Sequence, residues 1–234
     1  MESSELSAQH SARLFFYLAA ILIPLIVGIG TFAFYPFVDD WLWLPLILLY
    51  WITIWSATFI YHRKFGNVFK SGWLEPTLKL RGDKVWIQYL LLYGNLVYAV
   101  PLYFVNYFSH LSGKMLLVLF LVSFINGPSE EIFWRGCMES AGERAGFSPQ
   151  KRLVLAPILF SLWHTAFVLH LYPWNDSWFM GWALILVTTW LSGVIWLVVL
   201  QKSQRLFPQM VMHSVANFFS VFPMLLITVM GLYF

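Results

Sequence analysis

Long apolar runs separated by short polar connections dominate this chain. The first spans residues 12–35, behind a mixed-charge stretch, 1–12, that has no basic n-region. It is too long for the apolar part of an export signal and reads as a retained span. Further runs follow at 41–61, 85–108, 115–138, 153–171 and 178–200. A seventh begins near Leu206 and exceeds the ~20 residues a bilayer requires. Pro223 would kink it or divide it in two. The pattern predicts an all-α, polytopic transmembrane helical bundle of seven spans, or eight if the last is divided.

The longest polar connection, 62–84, carries Arg63, Lys64, Lys70, Lys79, Arg81 and Lys84, interleaved with Trp73, Leu74, Leu78 and Leu80. That mixture predicts a segment lying on the membrane surface. Residues 1–84 are thus two N-terminal spans with a cytoplasmic amphipathic segment, and 85–234 form the core. A second polar loop is expected at 139–152, with Glu139, Glu143, Arg144, Lys151 and Arg152.

Composition agrees with the pattern. The 234 residues are 60% hydrophobic and 11% charged, with mean hydropathy +0.71, against roughly 25% charged in soluble domains. Topology explains the net charge of +3 better than a nucleic-acid partner does. With the N-terminus in the cytoplasm, 12 of the 14 Lys and Arg residues fall on the inner side, as the positive-inside rule requires. Cys137 is the single cysteine, which excludes an internal disulfide, a CxxC pair and a thiolate zinc cage.

Against this background the ionisable residues inside the spans stand out, because each costs at least ~2.5–3.5 kcal/mol in hydrocarbon. The fourth run holds Glu130, Glu131 and Arg135, the fifth Phe160 and His164, the seventh His213 and Asn217. Glu131 and Arg135 are four apart with the acid first, the favourable order for a pair on one helix face. His213 and Asn217 share that spacing, as do Phe160 and His164. Asn126-Gly127-Pro128 predicts a break, with Pro128 opening a restarted helix and Glu130 in its first turn. At 1.5 Å per residue, Glu130, His164, His213 and Asn217 all lie roughly 12–18 Å from the cytoplasmic ends of their spans. A shared layer predicts a shared site in a central intramembrane cavity.

An acid and an imidazole can hold a water and take its proton as it attacks a carbonyl. A second His with an amide can donate hydrogen bonds to the oxyanion. No Ser lies in a nucleophile elbow or a Ser-x-x-Lys arrangement. Two His and a Glu could also bind zinc, but no His-Glu-x-x-His spacing is present.

These residues resemble the CPBP intramembrane proteases, which include the CAAX prenyl endopeptidases. The family's Glu-Glu-x-x-x-Arg, Phe-x-x-x-His and His-x-x-x-Asn motifs occur in order, as Glu130–Arg135, Phe160–His164 and His213–Asn217. The resemblance covers roughly residues 85–220. It implies a glutamate-dependent peptidase in which Glu130 and His164 activate water, and His213 with Asn217 forms the oxyanion hole. Glu131 and Arg135 would orient the site, with Phe160 supporting it. The expected substrate is a membrane-anchored or lipid-modified protein in the cell membrane, cut without metal or other cofactor and without nucleic acid. Competing readings are a catalytically silent scaffold or immunity protein of this fold, a zinc-dependent CAAX-type metalloprotease, and a transporter with a Glu/His proton relay.

Overall fold

A computed structural model of the chain describes residues 2–38, 43–67, 69–171 and 178–221. Every regular element among them is helical: α1 (Glu2–Val38), α2 (Trp43–Phe65), α3 (Val85–Tyr93), α4 (Leu96–Asn106), α5 (Gly113–Glu130), α6 (Met138–Arg144), α7 (Pro149–Leu171), α8 (Trp178–Ser203) and α9 (Phe207–Ala216). A short 3₁₀ turn, Phe108–His110, follows α4, and two π-helical segments, Glu131–Cys137 and Asn217–Val221, continue α5 and α9.

The helices are turned inside out relative to a water-soluble protein. Along α2, Leu48, Ile52, Trp55 and Phe59 are exposed, and along α8 Met180, Leu184, Val187 and Leu191. Glu130, Glu131, Arg135, Glu139, Arg152, Arg205 and His213 are buried. That distribution fits lipid as the solvent, because hydrocarbon accepts leucine and rejects carboxylates. Among the described residues, five apolar helical segments are long enough to cross a bilayer: Glu5–Phe34, Leu44–Phe65, Val85–Asn106, Gly113–Arg144 and Trp182–Ser203. The chain is therefore a multi-pass membrane protein. Pro223, on which the choice between seven and eight spans turns, lies outside the described residues.

The chain divides into two compact units interleaved along the sequence. One comprises Met1–Lys70 with Phe133–Val198, the other Ser71–Ile132 with Val199–Phe234.

In the first unit α1 packs against α2, α6 and α7. The polar loop expected at 139–152 is largely the buried helix α6 and a tight turn. Glu139 and Arg152 pair at 2.9 Å, and Arg152 Nη1 donates to Phe147 O at 2.7 Å. Gly146 ends α6 with φ +74, a left-handed value that glycine adopts without a Cβ penalty. Arg13 Nε and Gln9 Nε2 then donate to the carbonyl of Ala145, at 2.9 and 3.3 Å, tying α1 to the end of α6. Charge composition suggested a solvated loop; mutual neutralisation of Glu139 and Arg152 lets the segment bury instead.

In the second unit, the expected third span is two helices joined at Gly94-Asn95, both with helical dihedrals (φ −61 and −66). The break expected at Asn126-Gly127-Pro128 is absent. Helix α5 runs through Pro128 to Glu130, and the irregularity falls one turn later as the π segment. Pro128 lacks an N–H, which costs the helix one bond, to the Phe124 carbonyl, without ending it. Glu130 consequently ends a helix and does not sit in the first turn of one. The stabilisation expected from a helix N-terminus does not apply to it.

Candidate active site

The second unit is built around the crossing of α5 and α9, and Gly127 makes that crossing close. A Cβ at Gly127 would stand 2.5 Å from the backbone nitrogen of Ser214, so only glycine lets the two backbones meet there. One turn beyond Gly127, the carboxylates of Glu130 and Glu131 reach His213, the residue before Ser214. His213 Nδ1 lies 2.7 Å from Glu131 Oε1, and its Nε2 lies 3.0 Å from Glu130 Oε2. All three are buried, Glu131 completely.

This bridge fixes a proton count. Each of the two contacts needs one hydrogen, carried either by the ring nitrogen or by a protonated carboxyl; with Glu131 as the carboxylate, Nδ1 carries it. A hydrogen bond between Nε2 and Glu130 then needs another proton on that pair, as an imidazolium facing a carboxylate or a carboxylic acid facing an imidazole. The pair can therefore pass a proton between two atoms already in hydrogen-bond contact. Asn217 ends α9 one turn after His213, is buried, and its Nδ2 has no hydrogen-bond partner among the described residues.

The start of α9 is held by the segment that precedes α3. Leu206 N–H and Phe207 N–H both donate to Trp73 O, at 2.9 and 3.2 Å, and Trp73 Nε1 donates to Gln204 Oε1 at 3.2 Å. Buried Arg205 donates from Nη1 to Gly72 O at 2.9 Å and to the Glu75 carboxylate. That hydrogen bond, followed by the charges of Arg205 and Arg81, holds the exposed Glu75 carboxyl below its ordinary pKa, against an opposing effect of desolvation. Within the segment expected to lie on the membrane, Trp73 and Leu80 are buried anchors, while Leu74 and Leu78 remain exposed. The latch sets where α9 begins, and so where His213 stands six residues later.

In the first unit, α7 presents Phe160 and His164 one turn apart. His164 Nδ1 lies 2.8 Å from Phe160 O, and a carbonyl only accepts, so Nδ1 is the protonated nitrogen. A neutral His164 thus has its lone pair on Nε2, the form that takes a proton from water. Phe160 stands edge-on to the imidazole at 4.9 Å, and the Arg135 guanidinium stacks over the same ring at 4.0 Å. Trp196 approaches Arg135 from another side at 5.2 Å. Trp134 donates to Tyr50 OH at 2.7 Å, and Tyr50 stacks on Trp163 at 3.8 Å, which fixes the turn of α7 carrying His164.

All three motifs fall within residues 112–219, and that segment matches the family model described as Type II CAAX prenyl endopeptidase Rce1-like. Residues 112–219 form a CPBP, CAAX protease-like core. No curated protein and no solved structure matches the chain. Within the CAAX protease-like core, Glu130, Glu131, His213 and Asn217 belong to one unit, and Arg135, Phe160 and His164 to the other. Among the described residues no group of three or more His, Cys, Asp or Glu side chains is arranged to hold a metal ion.

Sequence spacing put Glu131 on a helix face with Arg135, but gave no sign that its carboxylate reaches His213 across the α5–α9 crossing. It also passed over Gln209. This residue precedes His213 by four positions, continues the His213–Asn217 stripe, and is completely buried. A polar residue extending an i, i+4 polar stripe was the available signal.

Proposed function

We propose that this protein is a glutamate-dependent intramembrane endopeptidase that cuts a membrane-anchored or lipid-modified protein near the cytoplasmic face. The observation that carries the reading is His213 held between Glu130 and Glu131 inside a CAAX protease-like core. A buried Glu-His-Glu set is costly in a membrane unless its charges are paired and used.

In this reading Glu130 is the carboxylate that accepts the proton of the attacking water, with His164 Nε2 as the second acceptor named by the motif order. His213 is the imidazolium partner of Glu130. As the carbonyl oxygen gains charge beside Glu130, it shares the Nε2–H as a second acceptor with the ring held in place, and Asn217 Nδ2–H donates beside it. Glu131 holds Nδ1–H throughout, which keeps the ring oriented. The water's hydroxide joins the scissile carbon. Its proton then goes from the Glu130 carboxyl to the leaving amine, and the C–N bond breaks.

Cleavage of a farnesylated CAAX-type peptide by the purified protein in vesicles tests this reading, with product masses reporting the bond cut. Wild type should cleave, and Glu130→Ala and His164→Ala should each lose at least ~10³-fold in rate. Full activity in either variant would remove that residue from the mechanism. Cleavage lost on zinc chelation and restored by zinc would favour the metalloprotease reading.

A further inference from the structure

Helix α9 carries a polar stripe longer than the family motif. Gln209, His213 and Asn217 follow one another at intervals of four, on one face. Gln209 is fully buried, and neither Oε1 nor Nε2 has a hydrogen-bond partner among the described residues. Its backbone N–H is already satisfied by Leu206 O at 3.0 Å, so the orphaned atoms are those of the side-chain amide alone. An unpaired buried amide is destabilising, and leucine or methionine would fill the position at no such cost. A primary amide offers one donor and one acceptor side by side, the complement of a peptide group's C=O and N–H.

Resting on the peptidase reading above, we infer that Gln209 is a substrate-binding residue whose amide pairs with a main-chain peptide group of the substrate two residues from the scissile bond. The distances match. Four residues along α9 advance roughly 6 Å, and two residues of extended peptide advance roughly 6.6 Å. In an extended chain, carbonyls two residues apart point to the same side, so one edge presents the scissile carbonyl to His213 and Asn217 and the next group to Gln209. Recognition through the main chain would act on every substrate, whatever its side chains.

The test uses the full-length protein in vesicles and three farnesylated CAAX-type peptides. One is unmodified. The other two each carry an ester in place of the amide two residues before or two residues after the scissile bond. Wild type should lose about tenfold in kcat/KM on one of the two esters. Gln209→Met should lose about tenfold on the unmodified peptide, mainly in KM, and show no additional loss on that ester. Its melting temperature should equal or exceed that of wild type, because no internal hydrogen bond is removed. Equal kcat/KM for Gln209→Met and wild type, an ester penalty that persists in the variant, or a variant that melts lower would each overturn the inference. An inactive wild type, or a Glu130→Ala variant that cleaves normally, would overturn it together with the peptidase reading. Loss of cleavage in Glu130→Ala with none in Gln209→Met would sink the Gln209 inference alone.

Discussion

Glu131 Oε1 and His213 Nδ1 stand 2.7 Å apart across the α5–α9 crossing. The acid that motif spacing paired with an arginine thus reaches the histidine on another helix and orients its ring. A hydrogen bond to a charged group contributes about 1.5–3 kcal/mol, so Glu131→Ala should lower kcat roughly 10- to 100-fold. KM should change little, because the ring contacts the reacting carbonyl and not the bound tail. Steady-state kinetics on the farnesylated peptide measure both. A rise in KM at constant kcat would mean that Glu131 serves substrate binding instead.

The close approach of the two backbones at Gly127 makes it sensitive to any added atom. Even one methyl group meets the Ser214 backbone at 2.5 Å, and backbone in two packed helices cannot give way cheaply. Gly127→Ala should destabilise by about 1–3 kcal/mol, read as a lower thermal midpoint in detergent. Gly28, where nothing lies within 4 Å of an added Cβ, is the control: Gly28→Ala should be neutral or slightly stabilising.

The latch at the start of α9 should depend on pH with a definite sign. The Arg205 hydrogen bond depresses the pKa of Glu75. Its contribution is therefore fully present above the unfolded carboxylate pKa and is lost as pH falls through the lower, folded value. Glu75→Gln should melt below wild type at pH 7, and the gap should close under acid conditions, below about pH 4. Melting curves at a series of pH values check this.

Glu139 and Arg152 join α6 to α7 inside the first unit. Removing one partner of a buried pair leaves an uncompensated charge, at a cost of about 3–5 kcal/mol. Arg152→Met should therefore destabilise strongly, and Glu139→Gln added to it should recover part of the loss. A double-mutant cycle by thermal unfolding separates this coupling from lost packing.

Much of the fold was written in the hydrophobic pattern, because a run of some twenty apolar residues has few alternatives to a spanning helix. The motif residues were legible for a related reason: Glu130, His164 and His213 are too costly in hydrocarbon to be incidental. Other features depend on which helices meet, and spacing along one helix reports only which side chains share a face. The contact of Glu131 with His213 exists because Gly127 lets α5 and α9 touch. Arg152 counts as a loop cation until Glu139 is placed beside it. The path of α5 departs from the expected break at Pro128 because the proline removes a single hydrogen bond, the one to the Phe124 carbonyl, and the packing of α5 against α9 carries the helix past it.

The central claim is that Glu130, held against His213, takes the proton of the attacking water. Single-turnover cleavage of the farnesylated peptide by wild type and Glu130→Gln, with peptide binding measured in parallel and a zinc chelator present throughout, tests it most directly. The account predicts fast cleavage by wild type, and in Glu130→Gln a rate at least ~10³-fold lower with unchanged binding. Cleavage by Glu130→Gln within a few-fold of wild type, or a wild type silenced by the chelator, would contradict it.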